Sequence, residues 1–233
     1  MIEKGYTLPI LGQGYVRYID HLGDDLRIVE TARISYKSPS KGDEADKKLL
    51  MYLYENRHTS RFESCNITFN IKMPIFCMRQ FVRHRTIRLN EWSGRYSELA
   101  DEFYIPELWR VQDIKNKQGS LASGSLVDSP EWHAENTGIA QSVFDYSYAQ
   151  YQQLLNRGVA KELSRIVLPV SLFTEIYANI DVHNLMHFLG LRQDAHAQKE
   201  MRDIADAMAD IFKELYPWSF EAYQEYQRNR LKV

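Results

Sequence analysis

Arg79, Arg83, Arg85, Arg88 and Arg95 crowd into one stretch ending at Ser97, with His84 among them and Glu91 as the single acid. Like charges four apart on a helix repel by about 0.2–0.5 kcal/mol per pair. Arg79 and Arg83 therefore belong together only if an anion, or a reach into solvent, offsets the cost. A guanidinium presents a planar fork that grips phosphate or carboxylate through two parallel hydrogen bonds, so the cluster reads as a cradle for an anionic ligand. Ser93-Gly94-Arg95 adds a hydroxyl, a residue with free backbone angles and a cation in succession, the make-up of a phosphate-gripping turn. Charge alone fits a solvated basic face or an RNA-binding patch equally well. With 29 Lys and Arg against 31 Asp and Glu, the net charge of −2 argues against a general nucleic-acid binder and makes the basic stretch a local feature suited to a small anion.

Stepping outward, Ile67, Phe69, Ile71 and Met73 alternate with Asn66, Thr68, Asn70 and Lys72, the period of a half-buried strand. Pro74 is suited to open a helix, predicted from Ile75 to about Arg85. On it Gln80, Arg83 and His84 share a face while Arg85 points elsewhere, so one helix end reaches two ligands. Upstream, Tyr15–His21 reads as a strand, and Asp24 or Asp25 caps a helix through Ile28 and Ala32 that ends before Ser38-Pro39. A second helix spans about Asp43–Glu55 with Leu49, Leu50 and Leu53 inward, followed by a polar connector in which His58 and Glu63 read, by themselves, as capping residues.

Downstream, Phe103–Pro106 reads as a short strand and Gln112–Pro130 as a mobile surface excursion. Glu131–Asn156 is a long helix capped by Asp128 or Ser129 and closed by Gly158. Its tyrosines and glutamines from Tyr146 to Gln153 point to subunit packing. Leu172–Ile180 is a second core strand, and Asp181 caps the helix carrying His183, His187 and Arg192. Helices at about Ala197–Tyr216 and Phe220–Arg228 are structural, with Ile204, Met208, Ile211 and Phe212 inward. Arg165, set among Ile166, Val167 and Leu168, is expected to be paired, with an acid or with a ligand anion, because a desolvated lone cation is costly.

Three readings fit these residues: an anion-binding enzyme, a non-catalytic nucleotide- or RNA-binding module, and a zinc hydrolase using His183, His187 and His196. The last lacks the acidic base of the helical zinc-protease motif, so no metal is expected. Cys65 and Cys77 are too few for a disulfide framework, no apolar stretch reaches membrane-span length, and the amino terminus has no signal pattern. The expectation is one cytoplasmic domain over residues 1–233, without membrane or nucleic-acid partners.

The run Arg83-His84-Arg85, then Asn90-Glu91, Ser93 and Arg95, resembles the signature RHRxxSxNExSxR of the flavin-dependent thymidylate synthases, with Arg88 in place of the inner serine. LMHFLGLRQDAHAQ is similar to that family's second signature, and Ser60 matches a serine of a third, where Arg61 stands for a proline. The resemblance implies reductive methylation of dUMP to dTMP, with 5,10-methylenetetrahydrofolate as carbon donor, FAD as cofactor, NADPH as reductant and no cysteine nucleophile. It implies an α/β (α+β) domain, a mostly antiparallel sheet flanked by helices, assembled as a homotetramer with sites shared between subunits.

Position by position, the resemblance gives dUMP to Gln80, Arg83, Glu91, Ser93, Gly94, Arg95, Arg165 and Arg192. Arg192 carries the catalytic role of favouring charge on the uracil. FAD falls to Ser60, Arg83, His84, Arg85, Glu91, Asp181, His183 and His187. A flavin fold without a Gly-rich dinucleotide fingerprint follows from the same resemblance.

Overall fold

The computed structural model describes residues 2–34, 37–117, 119–124 and 126–230. The chain opens with strands β1 (Thr7–Ile10) and β2 (Gly14–Leu22), then helices α1 (Asp25–Arg33) and α2 (Asp43–Glu55). A 3-10 turn at Thr59–Ser64 leads into β3 (Asn66–Pro74), α3 (Ile75–Phe81) and β4 (Arg88–Glu91). The two-residue strands β5 (Val111–Gln112) and β6 (Ser120–Leu121) precede α4 (Pro130–Asn156) and α5 (Lys161–Ser164). Strand β7 (Phe173–Asp181) and helices α6 (Val182–Arg192), α7 (Lys199–Leu215) and α8 (Pro217–Arg230) complete it.

The main sheet runs β1-β2-β3-β7-β4, every neighbouring pair antiparallel. Strand β3 sits at its centre because its alternation works as read: Ile67, Phe69, Ile71 and Met73 are all fully buried on the helix-covered face. Each such side chain contributes roughly 1.5–3 kcal/mol on burial. Opposite them in register, Ile176, Ala178 and Ile180 of β7 extend the same face. Helix α7 supplies Ile204, Met208, Ile211 and Phe212 at helical spacing, and α6 adds Leu185, Phe188 and Leu189. The sheet's other face is polar: Asn179 donates to Thr68 Oγ1 at 2.8 Å, and Asn70 to Glu175 Oε1 at 2.8 Å.

Capping residues do what their types predict. Asp24 accepts from Arg27 N, Ser129 from Trp132 N and Asp181 from Asn184 N. Buried Asp25 accepts from the backbone of Trp218 and Ser219 and from the Ser219 hydroxyl, seating the start of α8 on α1. Gly158, at φ +80°, closes α4.

Four expectations are corrected. Helix α3 stops at Phe81, not Arg85, so Gln80, Arg83 and His84 do not share a helical face. Buried Phe81 and Ile87 anchor the chain on both sides of a turn, and His84 N bonds back to Phe81 O at 3.1 Å. Phe103–Pro106 makes only a single bridge, Phe103 with Leu172. The 112–130 excursion carries β6, paired with β5, and buries Val127. Finally, Arg165 is exposed on this chain, as is Ile166 beside it, and its Nε donates to the Glu162 carbonyl at 3.4 Å.

Candidate active site

The turn after α3 sets Arg83 and Arg85 in solvent with His84 half-buried between them, and Arg79 is exposed one turn earlier. Of the motif arginines, only Arg95 forms an ion pair among the described residues, Nε to Glu162 Oε2 at 3.1 Å. Arg88 donates to the Asn179 side-chain carbonyl at 3.2 Å, and the serine the signature would place there is replaced by this sheet-edge contact. Arg79, Arg83 and Arg85 are thus a concentration of positive charge that the described carboxylates leave uncompensated. Such a cluster fits a phosphate-bearing ligand.

His84 and Arg192 meet across the fold, although far apart in sequence. Arg192 ends α6, and its Nε donates to His84 Nε2 at 2.9 Å, while Phe188 packs edge-on against the imidazole at 4.8 Å. Burial, then the adjacent Arg192 and His187, push the His84 pKa down from 6.5 to about 4. A neutral imidazole accepting at Nε2 carries its proton on Nδ1. Burial also lowers the Arg192 pKa, though a guanidinium keeps its charge at neutral pH. With Nε engaged, the two terminal nitrogens of Arg192 remain for a ligand.

Strand β4 carries the motif along the edge of β7, Glu91 opposite Ile176, and Glu91 accepts from Thr174 Oγ1 at 2.7 Å. Beyond it Ser93 Oγ accepts from Arg95 N at 3.3 Å. Gly94 is buried against Leu99, where an added Cβ would come within 3.1 Å of the leucine side chain. Glu162 organises this end: it holds Arg95 by its carboxylate and Arg165 by its carbonyl, and neighbouring Lys161 donates to Tyr96 O at 3.2 Å. Strand β4, four extended residues and roughly 13 Å long, lies between the Arg83–Arg85 turn and the Ser93–Arg95 turn. The sequence-predicted residues therefore form two groups, one at each end of β4.

His183 and His187 line a cavity of about 310 Å³ with His58, Thr59, Tyr54 and Tyr226. Ser60, next to Thr59 on the 3-10 turn, is exposed. Its neighbour Arg61 has a buried Nε that finds no hydrogen-bond partner among the described residues. Both Asp181 oxygens are taken by Asn184, its backbone N at 2.9 Å and its side-chain amide at 2.7 Å, so this carboxylate organises the start of α6. An aromatic, half-apolar cavity, together with uncompensated arginines, fits a group with a flat ring and phosphates. Among the described residues no three of His, Cys, Asp and Glu are placed to hold a metal ion, and His196 sits by Asp194 at 2.8 Å.

Both cysteines are fully buried, and burial raises each thiol's pKa, so neither offers a thiolate at neutral pH. Residues that sequence reasoning did not single out are the partners: Glu162, Gln198, Glu200, Arg110 and Thr174. Gln80 donates its amide to Gln198, which closes the second signature. That position, like Glu162 three residues before Arg165, was the available signal.

A helix-flanked antiparallel sheet with an arginine cluster and a histidine-buttressed arginine fits an α/β protein that handles a phosphate-bearing ligand. The chain belongs to the flavin-dependent thymidylate synthase family: the family model described as thymidylate synthase complementing protein matches residues 17–218. The flavin-dependent thymidylate synthase of Kosmotoga olearia is 45% identical over 216 residues, 93% of this chain and 92% of that protein. That of Thermus thermophilus is 45% identical over 225 residues, covering 97% and 81%. Among solved structures, the UMP/dUMP methylase PolB from Streptomyces cacaoi, bound with 5-Br dUMP, aligns with a TM-score of 0.81 and 32% identity over 91% of this chain and 95% of that one.

Proposed function

We propose that this flavin-dependent thymidylate synthase converts dUMP to dTMP, taking its carbon from 5,10-methylenetetrahydrofolate and its reducing equivalents from NADPH through FAD. The observation that carries the reading is the His84–Arg192 contact, which fixes a half-buried guanidinium with two free nitrogens at 2.9 Å from a neutral imidazole. Such a fixed cation, already stripped of part of its water, stabilises negative charge developing on a uracil ring at no cost in reorganisation. Flavin supplies hydride, which removes the need for a cysteine adduct. Arg83 and Arg85 neutralise phosphates on one side, and His183 and His187 line the cavity that takes an aromatic part of the cofactor. Ser93, Gly94, Arg95 and Arg165 grip the nucleotide phosphate. Likeness to PolB, solved with 5-Br dUMP and with 5-Br UMP, supports a uridine nucleotide as substrate.

The two groups of site residues at opposite ends of β4 are completed by a second copy in a homotetramer. Ile139, Val143 and Tyr146, exposed on one stripe of α4, and Leu163 and Ile166 near Arg165 are the apolar surface that assembly would cover. Two variants test the assignment. Arg165→Ala removes a charge-assisted phosphate contact of about 1.5–3 kcal/mol and should raise the dUMP KM about tenfold or more. Arg192→Ala should lower kcat, because its contact strengthens toward the transition state. Steady-state kinetics on the folded variants decide, and normal turnover in Arg192→Ala would end the activating role.

A further inference from the structure

Behind Gln80 lies a hydrogen-bonded series that the two signatures do not explain. Glu200, with 3% of its side chain exposed, accepts from Arg110 Nη2 at 2.6 Å and from the Tyr104 hydroxyl at 3.1 Å through Oε1. Its other oxygen accepts from Gln198 Nε2 at 2.9 Å. Burial works to raise the Glu200 pKa, but hydrogen bonds from Arg110 and Gln198 outweigh it and hold the carboxyl below its ordinary value. An ionised carboxylate only accepts. Gln198 must therefore turn its NH₂ to Glu200 and its oxygen to Gln80, and Gln80 must answer with its own NH₂. With its nitrogen held on Gln198, the Gln80 amide has its oxygen fixed on the opposite side, and only the second N–H of that nitrogen remains beside it.

We propose that Glu200 and Gln198 are positioning residues that fix the orientation of the Gln80 amide, so that its oxygen, and not its nitrogen, is the end turned to the nucleotide as a hydrogen-bond acceptor. The inference rests on the reading that Gln80 touches dUMP. The groups of dUMP that can donate to such an oxygen are the ring N3–H and the 3′-hydroxyl. Without the relay a glutamine side chain presents either end, and half of its orientations set an N–H against a donor. Arg110 also donates from Nε to Ser120 Oγ at 2.9 Å, so the series is anchored in the β5–β6 hairpin and not in α7 alone.

The test compares Gln80→Ala and Gln198→Met in the flavin-loaded enzyme, measuring the dUMP KM, kcat at saturating dUMP and the melting temperature. Methionine matches glutamine in length and leaves the Glu200–Arg110 pair intact. Expected is a rise in the dUMP KM of up to about tenfold in Gln198→Met, the worth of one neutral hydrogen bond. Its kcat should stay within about twofold and its melting temperature should fall by a few degrees, because Glu200 Oε2 loses a buried donor, while Gln80→Ala raises KM at least as far. A raised KM in Gln80→Ala beside a normal one in Gln198→Met overturns the relay and leaves the Gln80 reading standing. A normal KM in both removes Gln80 from the dUMP site and the relay with it. Binding of N3-methyl-dUMP and of 2′,3′-dideoxyUMP to the unmodified enzyme and to folded Gln80→Ala supplies a second arm. Loss of affinity for one of them, shrinking in Gln80→Ala, supports the proposal, and equal affinity of both with dUMP overturns it.

Discussion

A second proton on His84 would face the Arg192 guanidinium, whose Nε already occupies Nε2 at 2.9 Å, in a setting too dry to screen the repulsion. That burial and charge depress the pKa from 6.5 to about 4 means the unfolded chain takes up this proton first. The contribution to stability is accordingly intact above about pH 6.5, and it is lost as pH falls toward about 4. His84→Gln keeps an acceptor without the titration, so its melting temperature should fall less steeply than the unmodified protein's across that window. Identical slopes would show that His84 is ordinary. Of the candidate site residues, Arg83 and His84 stood out by charge and spacing, whereas Arg165 and Arg192 were assigned to the nucleotide through the family resemblance. Their partners were not, because Glu162 for Arg95 and Arg192 for His84 come from remote segments that only folding brings near.

Elements with local start and stop signals were read closely. Helix α2 runs Asp43–Glu55 as its acidic first turn and leucine spacing predict, and Ser129 with Pro130 sets the start of α4. Helix α3 overran in the reading because no Gly or Pro follows Phe81. Its stop comes from tertiary anchoring of Phe81 and Ile87. Strands β1 and β4 escaped detection because four-residue edge strands hold too few alternations, and β4 exists through its pairing with β7. Helix α4 carries the prediction at this scale. Ile139 at 65% exposure, Val143 at 49% and Tyr146 at 68% recur at helical spacing on a face that this chain leaves open. Ile139→Asp with Tyr146→Asp should lower the mass found by sedimentation to that of a smaller assembly, with the far-ultraviolet dichroism unchanged. An unaltered mass would exclude this stripe from the proposed subunit interface.

For the whole molecule, the runs at β3 and β7 marked two core strands, and the mostly antiparallel sheet flanked by helices followed from the family resemblance. Its strand order did not, since β7 enters between β3 and β4 from the far end of the sequence. The same packing seals both cysteines, Cys65 against the α1 entry and Cys77 under α7. Replacing both with Ala should leave dTMP formation measurable in protein that folds, at a stability cost of about 1–3 kcal/mol per site for the lost packing. Complete loss of turnover with dUMP binding intact would contradict a mechanism free of cysteine. The most direct measurement of the central claim follows the folate. Protein stripped of flavin is given dUMP, 5,10-methylenetetrahydrofolate and NADPH, and both products are analysed before and after FAD is restored. The proposal that the hydride comes from flavin and not from the folate ring predicts that dTMP appears only with FAD, accompanied by tetrahydrofolate. Formation of dTMP without flavin, accompanied by dihydrofolate, would contradict the account.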